Sequence, residues 1–333
     1  MSRKKKARKK NTRGINRLLA DMRPNLTSLG AVAVLAAILA GAHAADLNTA
    51  RIDELTGLKG KMNAQEGVYK VTFPRDDVKI SVAGWQMPAF MGLGTWAAFQ
   101  GTNEKAMVMG DTVLLEDEVN SAMSAALDNG LSVTALHNHF FFDQPKVYFM
   151  HIGGEGSVEK LAAAVKKVYD SIKTTRRLKA KPGTTFGQLS LEKGPLPEKN
   201  SLTPEPINEI LGMQGEAKDG MLKFVIGRPA KMDGMDIGKE MGVNTWAAFA
   251  GSDENAIVDG DFAVTEDELQ PALKALRAVD INIVAIHSHM THEDPRILFF
   301  HYWGRGSAKK LAEAVKGALL VTELSGVSTT AHN

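Results

Sequence analysis

The segment Thr95-Trp96-Ala97-Ala98-Phe99 recurs 150 residues later as Thr245-Trp246-Ala247-Ala248-Phe249. The same offset carries Gly110-Asp111 onto Gly260-Asp261, and Glu116-Asp117-Glu118 onto Glu266-Asp267-Glu268. It also carries His137, His139, Pro145 and His151 onto His287, His289, Pro295 and His301. Earlier in each copy, GVYKVTFPR at 67–75 matches GMLKFVIGR at 220–228, and Ile52-Asp53-Glu54 echoes Ile207-Asn208-Glu209. A chain built this way folds as two copies of one unit. The copies span 47–173 and 203–325, and the stretch 174–202 between them, rich in Lys, Gly, Pro and Thr, has a linker composition.

Within a copy, the pattern alternates between periods of two and of about 3.6 residues. Val68–Phe73, Val78–Val82, Thr95–Gln100 and Ala106–Leu115 alternate as strands do. Glu116–Asn129 has helical spacing, with Val119, Met123, Ala126 and Leu127 on one side, and Thr265 with Glu268 marks the matching helix start in the second copy. Strands at Ser132–His139 and Lys146–Ile152 follow. Ser157 then caps a last helix whose apolar face is Leu161, Ala162, Val165 and Val168. The order β-β-β-β-α-β-β-α predicts an α+β fold of two tandem homologous domains, each a largely antiparallel sheet with two helices packed on it.

Charge is distributed unevenly. Residues 1–28 hold ten Lys/Arg against the single acid Asp21, and 29–45 carry no charge, which leaves 30 basic and 37 acidic residues in the body. An acidic body lacks the basic face that phosphate neutralisation needs, so nucleic acid is not an expected partner. The basic stretch runs into the apolar segment LGAVAVLAAILAGA at 29–42 and then Ala42-His43-Ala44, which together read as a secretory signal over 1–44. The segment is short for a membrane span, which takes roughly twenty apolar residues. Cleavage gives a periplasmic or secreted protein; an uncleaved leader gives a membrane-anchored one. The chain has no Cys, which excludes disulfides, thiolate ligands, thiol nucleophiles and lipid attachment at cysteine.

Six of the nine His occupy matched positions. His137 and His139 are two apart on an expected strand, so their rings leave one face. A hairpin centred on Pro145 would set His151 opposite His139 and bring three imidazoles together, enough for a metal site with three nitrogen ligands. Asp143 and Glu293 fall at equivalent places, giving the string H-x-H-x3-[DE]-x7-H in each copy. The candidate metal ligands are therefore His137, His139, His151 and Asp143, with His287, His289, His301 and Glu293. Imidazole and carboxylate donors suit a divalent transition metal such as Zn, Mn, Fe or Cu. The alternative is that the histidines are structural, donating to carbonyls. His292 occurs in the second copy alone and is a further candidate.

Other features carry less. Gly154-Glu155-Gly156-Ser157 and Gly304-Arg305-Gly306-Ser307 precede a helix, where free N–H groups can cap or hold a small anionic ligand. Trp96 and Trp246 read as core, and Gly110-Asp111 and Gly260-Asp261 as strand turns whose carboxylates are candidates for a fourth ligand. The string H-x-H-x3-[DE] resembles the first metal motif of the cupins, but two helices per copy do not fit a cupin barrel. No separate nucleophile or general base stands out, so no reaction is assigned.

The segments GVYKVTFPR, TWAAFQG, VMGDTVLLEDEV, VTALHNH and FMHIGGEGSVEKLA resemble the LppY/LpqO-like family of exported bacterial proteins, and the resemblance covers both copies. It implies an envelope or secreted location and supplies no activity. Without Cys the chain lacks the lipid site of the lipoproteins in that family. Two functions follow from the sequence: an exported metal-binding protein, or a non-catalytic module that binds a cell-envelope component.

Overall fold

In a computed structural model, which describes residues 47–178 and 194–322, the repeat takes the form of one order of elements met twice. The signal or anchor segment over 1–44 lies outside the described residues, as does the middle of the linker. Repeat 1 runs α1 (Thr49–Thr56), β1 (Lys61–Asn63), β2 (Val68–Pro74), β3 (Ser81–Val82), β4 (Trp85–Gln86), β5 (Gly94–Gly101) and β6 (Ala106–Leu115). It continues with α2 (Val119–Asp128), β7 (Ser132–His137), β8 (Asp143–Gln144), β9 (Val147–Gly156) and α3 (Val158–Leu178). Repeat 2 runs α4 (Pro204–Leu211), β10 (Glu216–Lys218), β11 (Met221–Gly227), β12 (Ala230–Met232), β13 (Met235–Ile237), β14 (Asn244–Gly251) and β15 (Ala256–Thr265). It closes with α5 (Glu266–Arg277), β16 (Asn282–His287), β17 (Glu293–Asp294), β18 (Ile297–Gly306) and α6 (Ala308–Leu319). The last helix of repeat 1 thus continues to Leu178, five residues past 173.

The α+β expectation holds, and the sheet is larger than one copy. Strands pair in the order β1-β2-β5-β6-β9-β7-β16-β18-β15-β14-β11-β10, antiparallel throughout. Each half alone would end in an exposed edge at β7 or β16, and an unpaired edge is a template for another strand. Here each edge is the other's partner, with Leu136 opposite Ile286.

Rows of residues facing one another across the strands separate the two faces of the sheet. Val71, Ala97, Gly110, Ile152 and Val133 form one row. Its side chains are buried against α2 and α3, in a core that continues into repeat 2. The next row, Thr72, Trp96, Asp111, His151 and Ala135, points the other way. Among the described residues this second face carries no α-helix. At one end it is covered by two small sheets, β4-β3-β8 and β13-β12-β17. These enclose Ile80, Leu93, Val113, Val147 and Phe149 in repeat 1, and Val243, Ala263, Ile297 and Phe299 in repeat 2.

The structure corrects several local expectations. Among the described residues each repeat carries three α-helices, because the Ile52 and Ile207 echoes belong to α1 and α4. Those helices are only eight residues long, too short to display a full apolar stripe. The strand expected at Val78–Val82 shrinks to Ser81–Val82, which leaves the main sheet to pair with β4 and β8. Gly110 and Gly260 are not in turns; they lie mid-strand, where a Cβ would meet the carbonyl oxygen of Trp96 at 2.8 Å or of Trp246 at 2.4 Å. Trp96 and Trp246 are half-exposed on the second face rather than in the core, and Lys70 Nζ sits 4.0 Å from the centre of one ring and Lys223 Nζ 5.0 Å from the other.

Candidate metal centre

In each repeat two neighbouring strands, and the segment just beyond one of them, place the histidines on this second face, though in a register other than the one the spacing suggests. His151 lies opposite Ala135, and His137 opposite Phe149, so the β7–β9 pairing is centred on residue 143. His139 is therefore not His151's strand partner, because β7 ends at His137 and the chain then departs to form β8. A bulge between Val133 and Ala135 shifts the register further, and repeat 2 has the same bulge between Ile283 and Ala285.

The rings nonetheless gather. In repeat 1, His137 Nε2 and His151 Nε2 are 3.0 Å apart, and the His137 and His139 rings stack with centroids 5.1 Å apart. In repeat 2 the His287 ring lies 5.1 Å from that of His289 and 4.8 Å from that of His301. Beyond the strand ends, His139 and His289 rest on Phe149 and Phe299 at 3.4 and 3.5 Å, which fixes their ring planes.

The carboxylate that joins each cluster is Asp111 or Asp261, not the one in the loop. Asp111 stands opposite His151 and Asp261 opposite His301. Candidate ligand atoms of Asp261, His287 and His289 all lie within 4.8 Å of one another, and His289 Nε2 is 3.5 Å from Asp261 Oδ2. Two atoms bound to one ion at about 2.1 Å can be at most about 4.2 Å apart, so small side-chain rotations suffice to bring these three onto one ion. Asp261 Oδ1 and His287 Nε2 are buried and have no hydrogen-bond partner, and the same is true of Asp111 Oδ1. Unpartnered buried donors and acceptors are costly, and a bound cation is one way of satisfying them. The donor set therefore fits a metal.

Asp143 and Glu293 turn elsewhere. Asp143 Oδ2 accepts the Val147 N–H at 2.7 Å and its Oδ1 lies 3.3 Å from Lys146 Nζ; Glu293 Oε1 accepts the Ile297 N–H at 3.1 Å. Both bracket a cis X-Pro bond, Gln144-Pro145 or Asp294-Pro295. At the helix start after β9, Ser157 Oγ accepts the Lys160 N–H and the Val158 N–H donates to Asn103 O. Arg305 donates to Asn255 and to Gly194 O, so both helix starts are occupied by groups of the protein.

Electrostatics favour the metal-binding form of two of the imidazoles. Burial lowers the pKa of His287, and the neighbouring His301 and His289 lower it further. Burial likewise lowers that of His139, helped by His137 and opposed by Asp111. These imidazoles stay neutral, with a lone pair to offer. Burial raises the Asp261 pKa, against the pull of His301 and His289, so the carboxylate is short of positive charge.

A model of a protein family described as Domain of Unknown Function (DUF1259) matches residues 50–171 and again 205–321. The chain belongs to this family. Both matched stretches of the DUF1259 domain contain the complete His and Asp set of one repeat. No curated protein matches the chain in sequence. Among solved structures, a trimeric bacterial microcompartment shell protein, PduB, aligns over 79% of this chain and 89% of its own at 11% identity, with a TM-score of 0.21. That score is too low to indicate a shared fold. No helix among the described residues is long and apolar enough to cross a membrane.

Sequence reasoning found all six histidines and named Asp111 and Asp261 as secondary candidates. It missed the buried ion pairs beneath them. Arg75 donates to both oxygens of Glu118, at 2.6 and 2.9 Å, and to Val113 O at 2.8 Å; Arg228 binds Glu268 and Ala263 O in the same way. The signal was present, since the matched segments both end in Arg and the acids recur at offset 150.

Proposed function

We propose that this is an exported protein that binds one divalent transition metal in each repeat. Asp261, His287 and His289, with His301 beside them, form one site; Asp111, His137 and His139, with His151, form the other. The observation that carries the reading is the pair of buried, unpartnered atoms Asp261 Oδ1 and His287 Nε2 in a cluster of ligand atoms within 4.8 Å of one another. The likeness to exported LppY/LpqO-like proteins and the basic, apolar leader support a place in the envelope or outside the cell. A metal held by three or four such donors would bind a water or a substrate oxygen and increase its acidity. Beside it the chain places the Trp96 and Trp246 rings with their lysines, each indole opposite the cluster's aspartate.

The test is metal content. Full-length protein purified without chelator and equilibrated with Zn, Mn, Fe(II) or Cu(II) at neutral pH should retain two equivalents of one of them. His289→Ala should retain one. Failure to retain any of the four stoichiometrically would leave the stacked, Phe-supported histidines as structural groups, and the envelope-binding module would be the better description.

A further inference from the structure

The two repeats share their metal ligands but not what surrounds them. On the helix-free face, the residue two beyond His301 is Trp303, opposite Asp259. The equivalent position beside His151 is Gly153, opposite Met109. A Cβ built on Gly153 would meet only Val108 O, at 3.8 Å, and its φ is not in the left-handed region. Repeat 1 therefore has bare sheet where repeat 2 carries an indole, and the neighbouring Met109 is 61% exposed.

The loop after the histidines differs in the same sense. After His139 the chain continues as Phe140-Phe141-Phe142, with Phe141 and Phe142 85% and 79% exposed. Repeat 2 has Thr291 and His292 at those two places. Exposed apolar groups at both ends of one cluster, where the copy has its own Trp303 at one end and the polar Thr291 and His292 at the other, mark a surface that meets an apolar ligand. Trp303 indicates the shape: a ring at that point of the sheet is compatible with this fold.

We propose that repeat 1 presents its His cluster to an aromatic ligand that carries an oxygen donor for the metal. The ring lies on the bare sheet at Gly153 and Met109, where repeat 2 has its own Trp303. Repeat 2 is closed to such a ligand. The proposal rests on the metal reading for the donor group, while the ring shelf stands on geometry alone.

The test compares benzohydroxamate with acetohydroxamate, which share a chelating group and differ by the ring. Calorimetry is run on zinc-equilibrated full-length His289→Ala protein, in which repeat 1 keeps its cluster, and zinc content is measured on the same sample. Benzohydroxamate should bind about tenfold tighter or more, as burial of a phenyl ring implies. Adding Gly153→Trp should abolish that preference without lowering zinc content. Trp303→Gly in the otherwise natural chain should create a second ring-preferring site, which keeps the test available if His289→Ala fails to fold. Equal affinities in repeat 1, or a preference that survives Gly153→Trp, overturn the shelf while leaving the metal site standing. If the protein retains none of Zn, Mn, Fe(II) and Cu(II), the metal reading fails by itself. The shelf is then decided by 2-naphthoate on metal-free protein: binding that Gly153→Trp abolishes supports it, and no binding overturns it.

Discussion

The side chain of Gln270, in α5 of repeat 2, forms two hydrogen bonds with the backbone of Val133, in β7 of repeat 1: Oε1 accepts the Val133 N–H at 2.8 Å and Nε2 donates to its carbonyl at 2.8 Å. Val133 pairs with Ile152 of β9 immediately before the β7 bulge, and the Gln270 amide holds both of its peptide groups there. Asn120, at the position of Gln270 in repeat 1, accepts the N–H of Ile283 at the matching bulge of repeat 2. The bulges that aim the histidine strands are thus each satisfied by the other copy's helix. That exchange also explains why the halves form one sheet.

Gln270→Ala should accordingly destabilise the protein by about 2 kcal/mol, because it strands two buried peptide groups at once. Denaturant unfolding measures this directly. A change within about 0.5 kcal/mol, the range of ordinary surface substitutions, would mean that water replaces the amide and the exchange is dispensable.

Glu118→Gln should cost about 3 kcal/mol, since it breaks a fully buried ion pair and leaves the buried Arg75 with the partly exposed Asp77 as its remaining carboxylate. Arg176 also lies 2.6 Å from Glu118 and pairs with Asp117, so two cations each lose one of their two carboxylates. Removing both charges by Arg75→Met with Glu118→Leu should recover part of the loss, because uncharged groups carry no desolvation penalty. Thermal melts of the single and double variants decide this. A double variant less stable than the sum of the two single losses would show that the pair itself, rather than the orphaned charge, dominates.

The metal sites should lose affinity as pH falls, since protons compete for the imidazole lone pairs. A free His titrates near 6.5. Burial and mutual repulsion lower the pKa of His287 and His139, so release should set in below that value rather than at it. Zinc retention followed by dialysis across pH 7 to 5 tests the sign. Release complete above about pH 6.5 would contradict the lowered pKa and place the histidines in an exposed, ordinary environment.

Much of this architecture was legible because duplication doubles every signal. The two-copy organisation, the α+β class, β6 at Ala106–Leu115 and the matched positions of the six histidines all follow from periodicity and offset. The hairpin register did not, because Asp143–Gln144 pairs with β3 and turns an apparent tight turn into an excursion. Asp143 and Glu293 were plausible ligands by spacing alone. The competing demand came from the backbone, whose N–H groups at Val147 and Ile297 take those carboxylates. The difference between the repeats at Gly153 and Trp303 was visible in sequence but had no meaning until the sheet showed which face each residue occupies.

All four tyrosines should resist ionisation. Burial raises the pKa of Tyr69, Tyr148, Tyr169 and Tyr302, most strongly for the last two, where it carries the phenol far above its ordinary value near 10. Tyr302 lies beneath Gly260 with its hydroxyl 3.3 Å from Trp246 O, and Tyr169 packs against Phe73 at 5.5 Å. A group whose pKa is raised on folding holds its proton longer in the native state than in the unfolded chain. Its contribution to stability is complete below pH about 10 and is lost as pH rises through the folded value. Tyrosinate absorbance should therefore stay low in the native protein at pH 10 to 11, while an unfolded sample in denaturant ionises normally. On further increase of pH, absorbance should rise in one cooperative step that coincides with loss of the circular dichroism signal. A smooth rise centred near pH 10, with the fold intact, would show that the rings at Tyr169 and Tyr302 are open to solvent.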